Sequence, residues 1–312
     1  MNMQGEGPAG DEAAKRFGFI AIIGAPNVGK STLVNALVGT KVTIVSHKVQ
    51  TTRVPIRGIA VSGGSQIAFV DTPGIFSPRR RLDRAMVDAA WSGAGDADLV
   101  ALMVDAVRGI DADTHAILQR LKNSPLRKCL IVNKIDKQGE KDQLLVLVSH
   151  LTAEMAFERV FMISAIESDG LEALLEYFAD AVPQGPWHYP EDEISDLPVR
   201  LLAAEITREQ AFLRLHDELP YALTVEPAVW KDLRDGSVRI EQTIYVERDS
   251  QKKIVLGHQG QTIKAISQNA RQQLMEVLER RVHLFLFVKV RERWAEDPER
   301  YREIGLEYPK DG

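Results

Sequence analysis

The most constraining feature of this chain is a glycine-rich pattern close to its beginning. Residues 24–31 read Gly-Ala-Pro-Asn-Val-Gly-Lys-Ser, with an apolar run at residues 19–23 before them and a predicted helix at residues 32–38 after them. In this pattern the glycines let backbone N–H groups converge on phosphate oxygens, Lys30 neutralises the β and γ phosphates, and the Ser31 hydroxyl can bind Mg²⁺. The pattern therefore predicts a nucleotide site at the junction of a strand and a helix.

Further short apolar runs follow, each bounded by Gly, Asp, Asn or Ser, at residues 67–70, 99–104, 129–132 and 160–163. Continuous runs of this length are typical of strands buried on both faces, and the spacing between them leaves room for crossover helices. We therefore predict a doubly wound α/β sheet over residues 17–183, preceded by a flexible tail at residues 1–16.

A second domain is predicted after residues 184–198, which we interpret as a linker. Pro183 and the three prolines that follow it, together with an acidic cluster at residues 191–193, interrupt any periodicity. The remaining residues, 199–312, mix strand and helix patterns, which indicates a smaller α+β domain. Strands are predicted at residues 239–246 and 284–290, and two helices within residues 254–278.

Composition excludes little. Residues 1–198 hold 20 Lys and Arg against 25 Asp and Glu, and residues 199–312 hold 19 of each, so net charge does not decide for or against a nucleic-acid partner. No apolar stretch approaches the roughly 20 residues that span a bilayer. The single Cys129 cannot form an intrachain disulfide, which leads us to expect a cytoplasmic protein.

Two short motifs complete the predicted nucleotide site. Asp71-Thr72-Pro73-Gly74 ends a strand, so Asp71 would hold Mg²⁺ through water and the Gly74 N–H would sense the γ-phosphate. By itself this tetrapeptide could be a capped turn, but the phosphate pattern upstream favours the functional interpretation.

Asn133-Lys134-Ile135-Asp136 follows the strand at residues 129–132 and indicates which base is bound. A carboxylate accepts hydrogen bonds, and guanine offers two adjacent donors where adenine does not, so Asp136 selects guanine. Ser164-Ala165 follows the strand at residues 160–163 and resembles the loop whose backbone N–H contacts guanine O6.

An RNA-binding motif is predicted in the second domain. Gly257-His258-Gln259-Gly260 separates an apolar helix end from a new amphipathic helix, which is the arrangement of a KH domain, whose Gly-x-x-Gly loop clamps single-stranded RNA. Residues 248–271 hold five basic residues against one acidic residue. The alternative is a helix cap followed by a turn. The predicted RNA contacts are Lys252, Lys253, Gly257, His258, Gln259, Gly260, Gln261 and Lys264.

The motifs and their order resemble those of Ras-like P-loop GTPases and, over residues 17 to about 308, those of the Era family of bacterial ribosome-assembly GTPases. The resemblance rests on Gly-x-Pro-Asn-Val-Gly-Lys-Ser, Gln-Thr-Thr-Arg, Asp-Thr-Pro-Gly-Ile, Asn-Lys-Ile-Asp, Thr-Arg-Glu with Glu-Leu-Pro-Tyr, and Val-Leu-Gly-x-x-Gly-x-x-Ile-Lys. Ala25 departs from the pattern, since relatives often have Arg there.

The resemblance implies Mg²⁺-dependent hydrolysis of GTP to GDP. It assigns Thr52, the residue before Arg53, to Mg²⁺ when GTP is bound. Ile75 stands where Ras has a glutamine that orients water, and this side chain cannot do so. In several GTPases with a hydrophobic residue there, an Asn at the position of Asn27 helps to bind K⁺. We therefore expect either potassium-assisted hydrolysis or an Asn27 that only tightens the loop.

The predicted roles can be grouped. Catalysis is assigned to Asn27, Lys30, Thr52 and Gly74, and metal binding to Ser31, Thr52 and Asp71. Binding of GTP or GDP is assigned to Gly24, Ala25, Pro26, Asn27, Val28, Gly29, Lys30, Ser31, Thr32, Asp71, Thr72, Pro73, Gly74, Asn133, Lys134, Asp136, Ser164 and Ala165.

The resemblance also implies a partner: the 3′ end of small-subunit ribosomal RNA in the 30S precursor, with GTP favouring the RNA-bound form. It implies a cytoplasmic protein with a peripheral pool at the inner membrane, and we expect a monomer. Two alternatives stay open. One is a regulatory or membrane-associated GTPase whose second domain binds protein. The other is an RNA-processing enzyme controlled by GTP, although residues 199–312 show no metal-ligand cluster or nucleophile–base pair.

Overall fold

The computed structural model describes residues 15–46, 48, 51–78, 80–139, 141–303 and 305–309. Most of the tail predicted at residues 1–16 therefore lies outside the described residues, and the first strand begins at Arg16. Within the described ranges the strands form two sheets, one in each half of the chain.

The first sheet has the strand order β2-β3-β1-β4-β5-β6. Its strands are β1 (Arg16–Ile23), β2 (Ile56–Ser62), β3 (Ser65–Asp71), β4 (Leu99–Asp105), β5 (Lys128–Asn133) and β6 (Val160–Ile163). All neighbouring pairs are parallel except β2 with β3, so β2 is an antiparallel edge strand. The helices are α1 (Lys30–Val38), α2 (Arg81–Gly95), α3 (Ala112–Lys122), α4 (Lys141–Glu154) and α5 (Leu171–Ala181).

Helices cover both faces of this sheet. On one face α1 and α5 pack against β1, β3 and β5 through residues such as Leu33 and Phe178. On the other face α2, α3 and α4 contribute Ala90, Ile117 and Leu151 to a second apolar core. The predicted doubly wound α/β sheet is confirmed, and its continuous apolar strands are explained by burial on both sides.

The second half of the chain forms a three-stranded sheet in the order β7-β8-β9, with β7 and β8 antiparallel and β8 and β9 parallel. Its elements are α6 (Val199–Arg214), β7 (Leu223–Asp232), β8 (Val238–Val246), α7 (Asp249–Leu256), α8 (Gln261–Leu278), β9 (Val282–Val290) and α9 (Pro298–Glu303). Helices α6, α7 and α8 share their apolar core with this sheet. The predicted α+β class is confirmed.

The predicted linker runs along the edge of the first sheet. The Gln66 side chain donates to the Tyr189 carbonyl at 2.9 Å, and its carbonyl oxygen accepts from the N–H groups of His188 and Tyr189. Farther on, the Ile59 N–H donates to the Ile194 carbonyl at 2.9 Å. The segment is thus hydrogen-bonded to the first sheet, and the exact domain boundaries stay predictions.

Candidate nucleotide and RNA sites

The predicted nucleotide-site residues follow the carboxyl ends of strands in the first sheet. Gly24 comes directly after β1, Asp71 ends β3, Asn133 ends β5 and Ser164 comes directly after β6. Because these strands are parallel, their carboxyl ends lie at the same edge of the sheet, which is where ligands bind in open α/β sheets.

The loop from Gly24 to Gly29 is closely surrounded by backbone and side-chain atoms. A Cβ atom on Gly24 would lie 2.4 Å from the Met103 carbonyl oxygen, and one on Gly29 would lie 2.4 Å from the Asn133 amide nitrogen. Gly29 also has φ of +105°, which favours glycine. Because α1 begins at the next residue, the N–H groups of its first turn can bind phosphate oxygens.

Lys30 is buried inside this loop. Its Nζ donates to the Gly24 carbonyl at 3.1 Å and to the Ala25 carbonyl at 3.0 Å. Burial lowers the pKa of Lys30 to about 8, and the nearby Asp71 carboxylate opposes that change. The ammonium group is therefore poorly solvated, and contact with phosphate oxygens would compensate for that loss.

The Asp71 carboxylate is where the predicted Mg²⁺ ligands meet. Its Oδ2 accepts from Ser31 Oγ at 2.8 Å and from Thr52 Oγ1 at 3.1 Å, and the two hydroxyl oxygens lie 2.9 Å apart. Its Oδ1 is buried without a hydrogen-bond partner among the described residues. Burial raises the pKa of Asp71, while Lys30 and the hydroxyl donors lower it. This all-oxygen donor set fits Mg²⁺.

Sequence reasoning missed a third hydroxyl at this carboxylate. Thr43 is fully buried, and its Oγ1 donates to the same Oδ2 of Asp71 at 2.8 Å. Thr43 lies outside every motif identified in the sequence, so only the three-dimensional contact reveals it.

The residues predicted to bind guanine are held together by hydrogen bonds. Asn133 donates to the Val28 carbonyl at 2.8 Å and accepts from the Ala165 N–H at 3.0 Å. Ser164 donates to Asp136 Oδ1 at 2.6 Å, which orients the exposed carboxylate. Because the Ala165 N–H donates to Asn133 here, the contact of this loop with guanine O6 stays a prediction.

Lys134 ties the guanine motif to the phosphate loop. Its Nζ donates to the Asn27 carbonyl at 2.6 Å and to Asp105 Oδ2 at 2.6 Å. Asn27 has φ of +64°, in the left-handed region, and its backbone is held in place by this lysine. This hydrogen bond therefore connects the Asn-Lys-Ile-Asp motif with the phosphate loop in the wall of one cavity.

The motif after β3 also packs against the phosphate loop. The Ile75 N–H donates to the Gly24 carbonyl at 3.1 Å, and Thr72 Oγ1 donates to the Ile22 carbonyl at 2.8 Å. A Cβ atom on Gly74 would lie 3.0 Å from Pro26 Cα. Ile75 is buried in the core beneath α2, so its side chain has a packing role and orients no water.

These residues surround a cavity of about 490 Å³. Of the predicted residues, its wall includes Pro26, Asn27, Gly29, Lys30, Ser31, Thr32, Thr52, Thr72, Gly74 and Lys134. The other predicted residues are not in this wall: Gly24, Ala25, Val28, Asp71, Pro73, Asn133, Asp136, Ser164 and Ala165. Several of them support the wall through the hydrogen bonds given above. A larger cavity, of about 760 Å³, lies between α2 and residues 305–309 and contains none of the predicted residues.

The segment between α1 and β2, which carries Thr52, docks directly onto α6 of the second domain. The Arg208 guanidinium is fully buried and donates to the Thr51 carbonyl at 2.5 Å. Glu209 pairs with Lys41 at 2.5 Å and accepts from the Val45 N–H at 2.8 Å. From the sequence, Arg208 and Glu209 are part of the Thr-Arg-Glu motif and could belong to an ordinary capped helix; the structure shows that they join the two domains.

Arg53 of the first domain makes further contacts across this junction. Its buried guanidinium donates to the Leu223 carbonyl at 2.8 Å and lies 5.9 Å from the Phe212 ring and 5.6 Å from the Trp294 ring. Burial lowers the pKa of Arg53 to about 9, and the charge of Arg208 adds to that effect. The residue next to Thr52 is thus anchored in the second domain.

The predicted KH loop joins α7 to α8. Gly257 and Gly260 both have positive φ, +74° and +75°, and a Cβ atom on Gly257 would lie 2.2 Å from Thr262 Oγ1. Between them His258 and Gln259 are exposed, and Ile254 beside the loop is 57% exposed. The remaining predicted contacts flank the loop: Gln261, Lys253 and Lys264 are exposed, and Lys252 is half-buried. An open loop with basic and apolar neighbours is suited to a nucleic-acid backbone.

Comparison with known proteins supports both halves. Residues 19–134 match the family described as 50S ribosome-binding GTPase, and residues 218–295 match the KH domain family. The GTPase Era of Rhizobium meliloti is 63% identical over 295 residues, covering 95% of this chain and 94% of that protein. The GTPase Era of Brucella suis is 58% identical over 308 residues, covering 98% and 99%.

Two solved structures are also similar. One is Era in complex with MgGDPNP and nucleotides 1506–1542 of 16S ribosomal RNA, with a TM-score of 0.87, 37% identity, and coverage of 93% of this chain and 99% of that chain. The other is a variant of Aquifex aeolicus Era bound to GDP and AlF4⁻, with a TM-score of 0.88, 37% identity and the same coverage.

The fold and the site together define a P-loop GTPase joined to a KH domain. The nucleotide motifs converge at one sheet edge, and the Gly-x-x-Gly loop occupies the helix junction of the second domain. With relatives at 58% to 63% identity over nearly its whole length, this chain belongs to the Era family of GTPases.

Proposed function

We propose that this GTPase binds the 3′ end of small-subunit ribosomal RNA and assists maturation of the 30S subunit. The related Era structure with 16S ribosomal RNA supports the choice of RNA. The observation that carries the proposal within this chain is the docking of Lys41, Val45 and Thr51 onto α6. Because the Thr52 segment contacts both the Mg²⁺ site and the RNA-binding domain, a nucleotide-dependent change there alters both.

The proposed roles follow from the geometry. Lys30 and the first turn of α1 hold the phosphates, and Asp136 with Asn133 holds guanine. Ser31, Thr52 and Asp71 would hold Mg²⁺, which would supply charge neutralisation at the phosphates. The Gly74 N–H would contact the γ-phosphate, and residues 257–261 with Lys252, Lys253 and Lys264 would hold the RNA backbone.

Selective RNA binding tests this function. We would measure the affinity of the full chain with a GTP analogue for a short RNA matching the 3′ end of 16S ribosomal RNA and for a scrambled RNA of the same length, at fixed salt. At least about tenfold tighter binding of the matching RNA is expected. Equal affinities would contradict the proposed substrate.

We also propose that K⁺ assists hydrolysis through Asn27. Asn27 lines the cavity, and the buried, hydrophobic Ile75 cannot position water. Exchange of K⁺ for Na⁺ at constant ionic strength should therefore lower the turnover rate, and an Asn27→Ala variant should lose that difference. Equal turnover in both salts would contradict this proposal and show that Asn27 only tightens the loop.

We further propose that the chain is a cytoplasmic monomer with a peripheral inner-membrane pool. Among the described residues, the structure contains no helix with the length and apolarity to cross a membrane. Sedimentation of the purified chain should give a monomer near its mass of 34.8 kDa. Flotation with anionic vesicles should recover a salt-sensitive fraction.

A further inference from the structure

Thr43 is placed where it can fix the orientation of the Mg²⁺ carboxylate. Its hydroxyl donates to Asp71 Oδ2, the oxygen that also accepts from Ser31 and Thr52. These three donors lie on one side of the carboxylate, so Oδ1 is the oxygen without a protein partner among the described residues. A carboxylate held in this way presents Oδ1 in one direction rather than rotating between alternatives.

The backbone of Thr43 is itself held by α1. The Asn35 side chain donates to the Thr43 carbonyl at 2.8 Å and accepts from the N–H groups of Val42 and Thr43 at 2.9 and 3.0 Å. Three hydrogen bonds from one side chain leave the Thr43 backbone little freedom. Thr43 can therefore act on Asp71 as a fixed donor.

The second domain holds the same segment on both sides of Thr43. Glu209, only 3% exposed, pairs through Oε2 with Lys41 at 2.5 Å and accepts through Oε1 from the Val45 N–H at 2.8 Å. Lys41 and Val45 each lie two residues from Thr43. The buried Glu209 carboxylate of α6 thus binds both ends of residues 41–45, and Thr43 at the centre of these residues contacts Asp71.

We propose that Thr43 is a positioning residue of the Mg²⁺ site and that Glu209 of the second domain keeps Thr43 in place. The inference rests on the proposed role of Asp71 as a Mg²⁺ residue; it adds Thr43, which no sequence motif marks, and gives a role to Glu209 of the Thr-Arg-Glu motif. It gives the RNA-binding domain a direct influence on the affinity for Mg²⁺ with nucleotide. Loss of either residue leaves the carboxylate less firmly oriented, because Ser31 and Thr52 then hold Oδ2 without Thr43 in its fixed position, and raises the Mg²⁺ concentration that tight nucleotide binding requires.

The first test compares Thr43→Val with Thr43→Ser in the full chain. Valine keeps the shape of the side chain without the hydroxyl, whereas serine keeps the hydroxyl. The readout is the binding of a fluorescent GTP analogue during titration with Mg²⁺. Valine should raise the Mg²⁺ midpoint about tenfold, the effect of losing one hydrogen bond to a charged group, and serine should stay within about twofold of wild type. Both should match wild type in EDTA.

The second test is a double-mutant cycle with Glu209→Ala. Because Glu209 acts through Thr43, Glu209→Ala should raise the Mg²⁺ midpoint about threefold in the wild-type background and have no further effect in the Thr43→Val background. Glu276→Ala is the matched control, since this exposed residue of α8 lies in the same domain and accepts a hydrogen bond from Gln272 of its own helix. Additive effects of Glu209→Ala and Thr43→Val would overturn the link between them.

Asp71→Asn separates failure of this inference from failure of the Mg²⁺ site. If wild type responds to Mg²⁺ and Asp71→Asn does not, Asp71 has its proposed role. An unchanged midpoint in Thr43→Val, or an equal shift in Thr43→Ser, would then overturn the positioning role of Thr43 alone. Circular dichroism and thermal melting would verify that each variant is folded.

Discussion

Replacing Arg53 by methionine is expected to uncouple RNA binding from the nucleotide. Arg53 follows Thr52 and reaches into the second domain, where it donates to the Leu223 carbonyl at 2.8 Å and lies near the Phe212 and Trp294 rings. Methionine occupies a similar volume and can pack against both rings, but it provides no charge and no donor. The substitution therefore removes the polar link and keeps most of the packing.

The magnitude follows from the contacts that are lost. A hydrogen bond from a charged donor contributes about 1.5–3 kcal/mol, and a desolvated cation–π contact about 2 kcal/mol. Burial of the guanidinium, which lowers the pKa of Arg53 to about 9, offsets part of this gain. A net loss of about 1.5–3 kcal/mol corresponds to a decrease of roughly 10- to 100-fold in the preference of RNA for the GTP form.

Fluorescence anisotropy with labelled RNA measures that preference as the ratio of Kd with GDP to Kd with a GTP analogue. Arg57→Met is the control, because Arg57 lies only four residues farther on, in β2, but is exposed and pairs with Asp196 at 2.9 Å. The control should keep the wild-type ratio. A folded Arg53→Met variant with an undiminished ratio would refute the reasoning.

Three further changes test the sites. Asp136→Asn removes one acceptor facing guanine, so competition titrations should show GTP binding weaker by at least about tenfold and xanthosine triphosphate binding improved; unchanged GTP affinity would exclude Asp136 from base recognition. Gly29→Ala should weaken nucleotide binding more than about tenfold in calorimetry, because its Cβ would lie 2.4 Å from the Asn133 amide; a normal affinity would show that the loop can yield. A double His258→Asp, Gln259→Asp variant should lower RNA affinity by about tenfold or more through repulsion of phosphate while GTP binding stays unchanged, and intact RNA binding would place the RNA elsewhere.

Local patterns predicted most of the fold and the place of the candidate nucleotide-site residues at the ends of strands. The buried strands β1, β3, β4 and β5 read as continuous apolar runs because helices cover both of their faces. The guanine and phosphate motifs follow these strands directly, so their convergence at one edge could be inferred from strand order alone.

The sequence did not predict the strands β2 and β7, because their apolar patterns are weak. β2 contains Gly58 and lies at the edge of its sheet, where alternation is partial. β7 contains Pro227 and a register shift between Pro227 and Val229, and both features interrupt a strand pattern. Each lies at the edge of its sheet, and edge strands carry a weaker apolar signal than central ones.

The junction between the domains could not be predicted because it depends on pairs far apart in sequence. Lys41 and Glu209 are separated by 168 residues, and Arg53 and Leu223 by 170. Arg53 and Glu209 belong to short motifs, but no local pattern shows which distant residue each contacts, and a buried Arg or Glu reads in the sequence as an ordinary surface charge. Only the folded chain shows that the Thr52 segment is held by the RNA-binding domain.

The most direct test of the account is RNA affinity in three nucleotide states. The full chain would be titrated with an RNA matching the 3′ end of 16S ribosomal RNA in the presence of a GTP analogue, of GDP, and without nucleotide, at the same salt and Mg²⁺ concentrations. The account predicts binding at least about tenfold tighter with the GTP analogue than with GDP. Equal affinity in all three states would contradict it, because the two sites would then act independently.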